Sequence, residues 1–397
     1  MEPSPFLAAA VGGDALLARG AALAAGLYLL WVMTRAVVWG MLVPRPKHQR
    51  MVLWITRGGH VLFRALAHRA RNYAQLDQCL AAQGPSSVLV YLALTFLIFV
   101  GVFGLLGYGL TGCAPMEAFY RAGSSLTTIG VVNASGFLAL SVMFAAAFTG
   151  STIIAVFIGF LLTLYSAYTA RETYMTKISL LVGEPGWGPE MVARLHRLQT
   201  AWSDGEVGKC VDWICTMRMN QYIFPLLNHF RSPVRDRHWT VTLLAIMDGV
   251  VLQATVIEGK LSTGAARLLA QGAQAFRSLK AIEMSRTASP EGENSMVSWW
   301  IEEQMTGVQP GGAVPDGGIR RADWDQAMDF LAAQGVPLLP DRESSWQAFC
   351  RLRSYYFEPA YFLAEHLSAV NAPWSGRRHP AFEFPRAWPD LARRFFT

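Results

Sequence analysis

Three long apolar runs divide the first half of the chain, and basic or turn-rich segments separate them. The runs extend from about Ala15 to Val43, from Ser86 to about Gly109 and from Phe137 to about Tyr168. Each run is long enough for a membrane helix, which needs about 20 predominantly apolar residues. The pattern therefore predicts three spanning helices. We expect the first to be retained rather than cleaved as a signal peptide, because it lacks a basic start and is too long.

A basic amphipathic segment follows the first run. Residues 51 to 76 place apolar side chains and the charges of Arg57, Arg64 and their neighbours at helical spacing. This pattern predicts one helix that lies on the inner membrane surface or packs against the membrane domain, and both alternatives stay open. Basic flanks mark the cytoplasmic side of a membrane. We therefore expect the N-terminus outside, residues 44 to 85 inside and the chain after the third span inside.

A short amphipathic run between the second and third spans ends in polar residues. It extends from Glu117 to Asn133, follows Pro115 and contains Thr127-Thr128-Ile129-Gly130. A run of this length cannot cross a bilayer, but it can enter and return if its non-helical end lines a water-filled path. The C-terminal end of its helix carries a partial negative charge. The run thus predicts a re-entrant helix and an extended loop whose oxygens replace the water around a cation.

The residues of this loop carry a resemblance to a known family. The sequence Leu126-Thr127-Thr128-Ile129-Gly130-Val131-Val132-Asn133 is similar to the T-x-T-T-V-G-Y-G-D filter of the tetrameric potassium-channel pores. The likeness covers roughly residues 86 to 172. Val131 replaces the family's aromatic residue, Val132 its second glycine and Asn133 its acid.

The resemblance implies a homotetramer, because one chain supplies one span–loop–span unit. It also implies an ion filter at this loop and K⁺ as the permeant ion, with Na⁺ as an alternative. Thr128 and Gly130 would coordinate the ion through hydroxyl and backbone oxygens. Gly150 and Gly159 would be hinge candidates in the third span. The implied filter residues are Thr127, Thr128, Ile129, Gly130 and Val131.

The composition changes to that of a soluble domain from about Leu180. Helical patterns fit residues 206–220, 238–257, 263–284, 322–334 and 344–370, and no run has strand periodicity. Trp239 to Ile257 is apolar enough to be a fourth span, but Asp248 at its middle favours a core helix. Residues 285 to 320 have the composition of a loop, and the aromatic tail after Trp374 is expected to pack on the domain.

One polar cluster lies between the helices of this domain. His229, Arg231 and residues 235 to 238 predict either a solvated loop with local ion pairs or, as the alternative, a site for an anionic ligand. The domain shows no phosphate-binding loop, zinc-protease motif or nucleophile elbow, and we expect no enzyme activity.

The composition agrees with a chain that is partly in lipid. The 397 residues are 52% hydrophobic and 16% charged, whereas soluble domains are nearer a quarter charged. No basic run with interleaved aromatic residues indicates nucleic acid, and the five scattered cysteines lack zinc-site spacing. We expect no cofactor. The predicted fold class is all-α, with a division into residues 1–48 (first span), 49–85 (amphipathic helix), 86–172 (pore domain) and 173–397 (cytoplasmic domain).

Two classes of function remain open. The first is a cation channel of the cell membrane, gated by its cytoplasmic domain in response to an unidentified ligand. Val132 disfavours the backbone conformation that glycine permits, so the filter could select weakly between K⁺ and Na⁺. The second class is a non-conducting, membrane-anchored sensor or scaffold. A channel requires Gly130, whereas a scaffold would tolerate Gly130→Ala.

Overall fold

The computed structural model describes residues 5–42, 50–132, 135–200, 202–284 and 316–376. Every regular secondary-structure element of these residues is a helix, and none is a strand. The predicted all-α class is therefore confirmed for them. The chain forms two compact units. The first unit contains residues 1–60 and 85–166, and the second contains residues 61–84 and 167–397. Asn133, most of residues 285–320 and most of the tail after Trp374 lie outside the described residues.

The helices of the first unit follow the apolar runs. The bounds are α1 Pro5–Val37 with its π turn Val38–Leu42, α2 Arg50–Ala67, α4 Gln83–Thr111, α5 Pro115–Leu126 and α6 Phe137–Val182. Helices α2 and α6 each contribute their first part to this unit, and α4 enters it at Pro85.

Glycines allow the helices of this unit to approach one another closely. A methyl group added at Gly26 of α1 would lie 2.9 Å from Leu106 of α4, and one added at Gly104 of α4 would lie 2.5 Å from the ring of Phe119 on α5. Small residues at such positions are typical of helix contacts in membranes. The core between these helices is apolar and consists of Met33, Phe99, Val102, Phe103, Leu106, Ala122, Leu126, Ala146 and Ile153.

Large apolar side chains also cover the outside of this unit. Leu97 of α4 and Phe144 and Phe148 of α6 are 67%, 72% and 76% exposed. Four helical stretches of the described residues are long and apolar enough to cross a membrane, which is compatible with a membrane protein. Two of these stretches contain the second and third predicted spans, one covers the first predicted span as far as Met41, and the fourth is Trp239–Ile257.

Several predicted helix ends are wrong. The second apolar helix begins at Gln83 rather than Ser86, because the proline that follows is tolerated in a first turn, where the N–H has no partner. The single helix expected over residues 51–76 is interrupted after Ala67, and Asn72 starts a second helix by accepting a hydrogen bond from the N–H of Gln75. The third apolar helix, α6, continues past Tyr168 to Val182.

The second unit is a helical domain around one central helix. The helix expected over residues 344–370 is divided in two by Ser354–Tyr356, whereas the other predicted helices agree with the structure to within a few residues. The bounds are α3 Tyr73–Ala81, α7 Gly188–Arg197, α8 Asp204–Ile223, a 3-10 helix Pro225–His229, α9 Trp239–Leu252 with a π turn Gln253–Ile257, α10 Thr263–Glu283, α11 Arg321–Ala333, α12 Arg342–Arg353 and α13 Phe357–His366.

The central helix is α9, and every one of its residues is buried inside the second unit. Its one carboxylate, Asp248, accepts hydrogen bonds from Arg353 Nε at 2.8 Å and from the hydroxyl of Tyr356 at 2.8 Å. The guanidinium of Arg353 also donates to the carbonyl oxygens of Gly317 and Trp374. A buried charge is tolerated when it is paired and hydrogen-bonded in this way. The burial of α9 agrees with the prediction of a core helix rather than a fourth span.

Candidate ion-coordinating loop

Helix α5 carries the loop that the sequence singles out. It begins at Pro115, whose missing N–H costs nothing at the first helical position, and it ends at Leu126. Ala118, Ala122 and Leu126 are buried against the neighbouring helices. The predicted re-entrant run is therefore a short helix that packs inside the first unit, followed by a turn.

The turn closes the C-terminus of α5 by a Schellman motif. Thr127 still has helical dihedral angles, and Thr128 follows with a φ of +59° in the left-handed region. The N–H of Thr128 donates to the carbonyl of Ser125 at 3.0 Å, and that of Ile129 donates to the carbonyl of Ser124 at 3.1 Å. These are the two bonds of the motif. Glycine is usual at the left-handed position, and a β-branched residue there is strained.

Ser124 fixes the rest of the turn. Its carbonyl also accepts from the N–H of Gly130 at 3.2 Å, and its hydroxyl accepts from the N–H of Val131 at 2.9 Å. Gly130 adopts a φ of +70°, which glycine reaches without strain. One buried serine of α5 thus holds three successive N–H groups of the loop.

The carbonyl oxygens of the loop are left for other ligands. No hydrogen bond from a described residue reaches the carbonyl oxygens of residues 127–131, and the side chains of these residues are exposed. The hydroxyl of Thr127 donates to the carbonyl of Gly123 at 2.8 Å, whereas that of Thr128 has no partner in the described parts of the chain. The loop therefore offers a row of unpaired oxygens, which is the chemistry that coordinates alkali-metal cations.

One expectation for this loop is wrong. An extended segment is predicted from Thr128 to Gly130, but Thr128 lies in a turn with Thr127 and both Thr128 and Gly130 have positive φ angles. The reason is local: the last carbonyls of α5 need donors, and the N–H groups that follow supply them. Ser124 was missed, although a serine three residues before the threonine pair could have indicated a hydrogen-bonding role.

The two hinge candidates have different surroundings. A methyl group added at Gly150 would overlap the carbonyl oxygen of Leu126, so α6 touches the end of α5 at this point. Gly159 has no atom within 4 Å of the position that a methyl group would take. Helix α6 is continuous through both residues. Gly150 therefore has a packing reason to be glycine, and the hinge assignment stays a prediction for both residues.

Sequence reasoning also missed a charged pair on α5. Arg121 and Glu117 form an ion pair one turn apart, and the Arg121 side chain is 20% exposed. Its Nε is buried without a partner among the described residues. The side chain lines a small pocket between α4, α5 and α6, together with Thr111 and Cys113. This pocket lies beside α5 and does not include the loop residues 127–131.

The polar cluster of the second unit is a structural junction. His229 is buried, its Nε2 lying 3.8 Å from the Glu283 carboxylate, which also accepts from Asn228 at 2.8 Å and lies 3.4 Å from Nε2 of His366. Burial lowers the pKa of His229. Burial alone would raise the pKa of Glu283, but its three partners outweigh that effect and lower it to about 2.

Arg231 completes this junction. It bonds the hydroxyl of Tyr73 at 3.0 Å, the carboxylate of Asp77 at 2.7 Å and the carbonyl oxygens of Leu367 and Ser368 at 2.9 and 2.7 Å. The predicted solvated loop is therefore wrong for His229 and Arg231, whose partners lie within the protein. Only the Arg235–Asp236 pair is exposed as expected.

The geometry defines a class but not a family. The protein is all-helical over its described residues and has helices that are long and apolar enough for a membrane. Comparisons with known protein families, with curated proteins and with solved structures gave no match. Any assignment of function therefore rests on the loop itself.

Proposed function

We propose that the chain is one subunit of a homotetrameric, potassium-channel-like cation channel in the cell membrane, whose path is lined by Thr128, Ile129 and Gly130. The observation that supports it most is the loop after α5, where N–H groups are bonded to Ser124 and the carbonyl oxygens have no protein donor. A carbonyl without a donor is costly inside a membrane unless water or a cation satisfies it. A short helix that ends at the loop adds a partial negative charge there.

A single chain supports this role only in part. Its loop presents oxygens from one side, while a dehydrated cation needs oxygens on all sides. Closed rotational symmetry supplies the missing sides with identical surfaces. The exposure of Ile129 and Val131, 67% and 64% in the single chain, agrees with a surface that other copies cover.

The balance between K⁺ and Na⁺ depends on the outer half of the loop. Val131 and Val132 stand where the resembling family has an aromatic residue and a glycine. A valine resists the left-handed backbone that Gly130 adopts. We expect K⁺ to be preferred, by a smaller margin than four complete coordination sites would give. A poorly selective cation channel is the nearest alternative.

Gating is assigned to the second unit. Helix α6 is continuous from Phe137 to Val182, and Arg171 in its last part donates to the carbonyl oxygens of Leu227 and Phe230 at 3.0 and 2.7 Å. A ligand that repacked the second unit would therefore act directly on the end of α6. A ligand can shift such an equilibrium only by its difference in affinity for the two states.

A non-conducting sensor or scaffold is the second candidate. The observation that favours it is the left-handed Thr128, a strained residue that shapes the loop as the cap of its own helix. A scaffold does not use the loop oxygens. It would therefore keep its assembly and its partners when Thr128 or Gly130 is replaced.

Cation flux tests the proposal. The purified chain is placed in liposomes, and K⁺ and Na⁺ fluxes are compared for the natural chain, Thr128→Ala and Thr95→Ala. Thr95 is a matched control, since its hydroxyl only bonds the carbonyl of Tyr91 in α4 at 2.7 Å. We expect flux that favours K⁺, a several-fold change of that preference in Thr128→Ala and none in Thr95→Ala. Flux that neither variant alters would contradict a path along Thr128, and an absence of flux in a monomeric protein would favour the scaffold.

A further inference from the structure

Helix α2 has two different faces. Val52, Thr56 and Ala67 are 7%, 4% and 6% exposed and point into the protein, and Gly59 on the same side approaches Ser87 of α4. The opposite face is apolar and open: Trp54 is 77%, Val61 70% and Leu62 57% exposed. These three residues are spaced by seven and one, so they form one stripe along the helix.

A row of arginines borders this stripe. Arg57 and Arg64 are exposed, lie one heptad apart and take part in no ion pair of the described residues. The surrounding segment is strongly basic, since residues 44–83 contain seven Lys or Arg and a single acid, Asp77. Asp77 itself is bonded to Arg231 at 2.7 Å. The positive charge of α2 is therefore not neutralised by the neighbouring chain.

The position of α2 in the chain limits what can cover it. Two candidate spans flank it, one ending at Met41 and the other within Tyr73–Thr111. The nine peptide steps from Met41 to Arg50 reach at most about 30 Å when fully extended. The helix thus begins close to the end of a span, where a bilayer surface is the nearest large apolar surface with phosphates beside it.

We propose that α2 binds the cytoplasmic surface of a bilayer that contains anionic phospholipids. Trp54, Val61 and Leu62 enter the boundary between headgroups and acyl chains, and Arg57 and Arg64 bind lipid phosphates. An apolar stripe beside basic residues is the arrangement of interfacial helices, whose binding increases with the anionic lipid content. The proposal requires that the spans lie in a membrane, but it does not require that the protein conducts ions.

Lipid retention tests the charge part of this proposal. The full chain is purified from mixed micelles of phosphatidylglycerol and phosphatidylcholine, and the bound lipids are counted by mass spectrometry. We expect Arg57→Gln with Arg64→Gln to lower the ratio of retained phosphatidylglycerol to phosphatidylcholine about tenfold. Arg57→Lys with Arg64→Lys should keep most of it. The control, Lys260→Gln with Arg267→Gln, removes the same charge from exposed positions of the second unit and should change nothing.

The depth of Trp54 tests the apolar part. Tryptophan fluorescence and its quenching by bromine-labelled lipids are measured in nanodiscs for the natural chain and for Trp54→Phe. The difference between the two signals is the fluorescence of Trp54. Strong quenching of the difference signal is expected in discs with phosphatidylglycerol. An unquenched signal, or an equal loss of anionic lipid in the Gln variants of α2 and in the control, would overturn the proposal. Neither outcome depends on flux, so failure here leaves the channel proposal untouched.

Discussion

Both units are built from helices, but the first exposes large apolar side chains and the second buries both apolar side chains and a charged pair. The first unit exposes large side chains such as Phe144 and Phe148, at 72% and 76%, and brings its helices together at glycines. The second unit buries Trp239 and Trp324 to 1% and 0% and places the Asp248–Arg353 pair at its centre. The difference is compatible with lipid around the first unit and water around the second, since lipid does not drive apolar surfaces together as water does.

This contrast predicts where each unit is sensitive. If lipid surrounds the first unit, close contact between backbones should matter most there, because removing apolar surface from lipid brings little gain. In the second unit, an unpaired buried charge should be the most damaging change. Variants at the two kinds of position should therefore differ in how much they lower the stability of each unit.

The largest effect is expected from Arg353→Met. The change leaves the Asp248 carboxylate and the Trp374 carbonyl buried without the guanidinium, and should cost about 3–5 kcal/mol in the free energy of unfolding of the second unit. Thermal unfolding of the full chain in detergent, followed by circular dichroism, measures it. Arg235→Gln is the control, since its 63% exposed side chain pairs with Asp236 at the surface, and should cost about 1 kcal/mol at most. Equal costs would contradict the central role of the buried pair.

Gly150→Ala should have the next largest effect, in the first unit. Its methyl group would overlap the carbonyl oxygen of Leu126 and push α6 away from α5, at a cost of about 1–3 kcal/mol or more. Gly159→Ala is matched in helix and in chemistry, and its methyl group meets no atom within 4 Å. It should stabilise α6 by about 0.5–1 kcal/mol, as alanine does in helices.

Resistance to denaturation in detergent checks this pair of variants. If both glycines tolerate alanine equally, α6 and α5 are not in the contact that the structure shows. If Gly159→Ala changes flux although it does not destabilise α6, the hinge assignment gains support for Gly159.

A smaller effect concerns pH. Burial holds the pKa of His229 below its ordinary value of 6.5, so the unfolded chain takes up this proton at a higher pH than the folded one. Stability should therefore fall as the pH drops below about 6.5. The carboxylate of Glu283, with a pKa of about 2, adds a further loss only below the ordinary glutamate value of 4.5.

Melting temperatures between pH 7 and 5 measure the His229 contribution. His229→Gln should flatten the slope in this interval, because the titrating ring is gone. His196→Gln, at an exposed site on α7, should keep the natural slope. An unchanged slope in His229→Gln would show that another group carries the pH dependence.

Much of the helical order could be predicted from the sequence, because apolar periodicity reports which face is covered. The start of α5 at Pro115 and the bounds of α10, Thr263–Glu283, follow from such local signals. The interruption at Ser354–Tyr356 could not be predicted in this way. Tyr356 fits the apolar pattern of a helix, but its hydroxyl is turned inward and donates to Asp248. That contact joins residues 108 positions apart, and no residue near Tyr356 in the sequence indicates it.

The conformation of the candidate loop likewise depends on contacts that residue types do not indicate. The row Thr127 to Gly130 could be singled out from residue types alone. Its turn could not, because it depends on where the carbonyl of Ser124 points after the last turn of α5. The contact of Gly150 with Leu126 likewise depends on how two helices cross, which a single glycine in an apolar run does not indicate.

The central claim is that loops 127–130 of several copies face a common axis and hold a cation. Single-particle imaging of the natural chain in nanodiscs with K⁺ tests it most directly. The account predicts a fourfold particle in which density for an ion lies about 3 Å from the carbonyl oxygens of Thr128, Ile129 and Gly130. A monomer, or an oligomer whose loops face lipid and lie apart from one another, would contradict it.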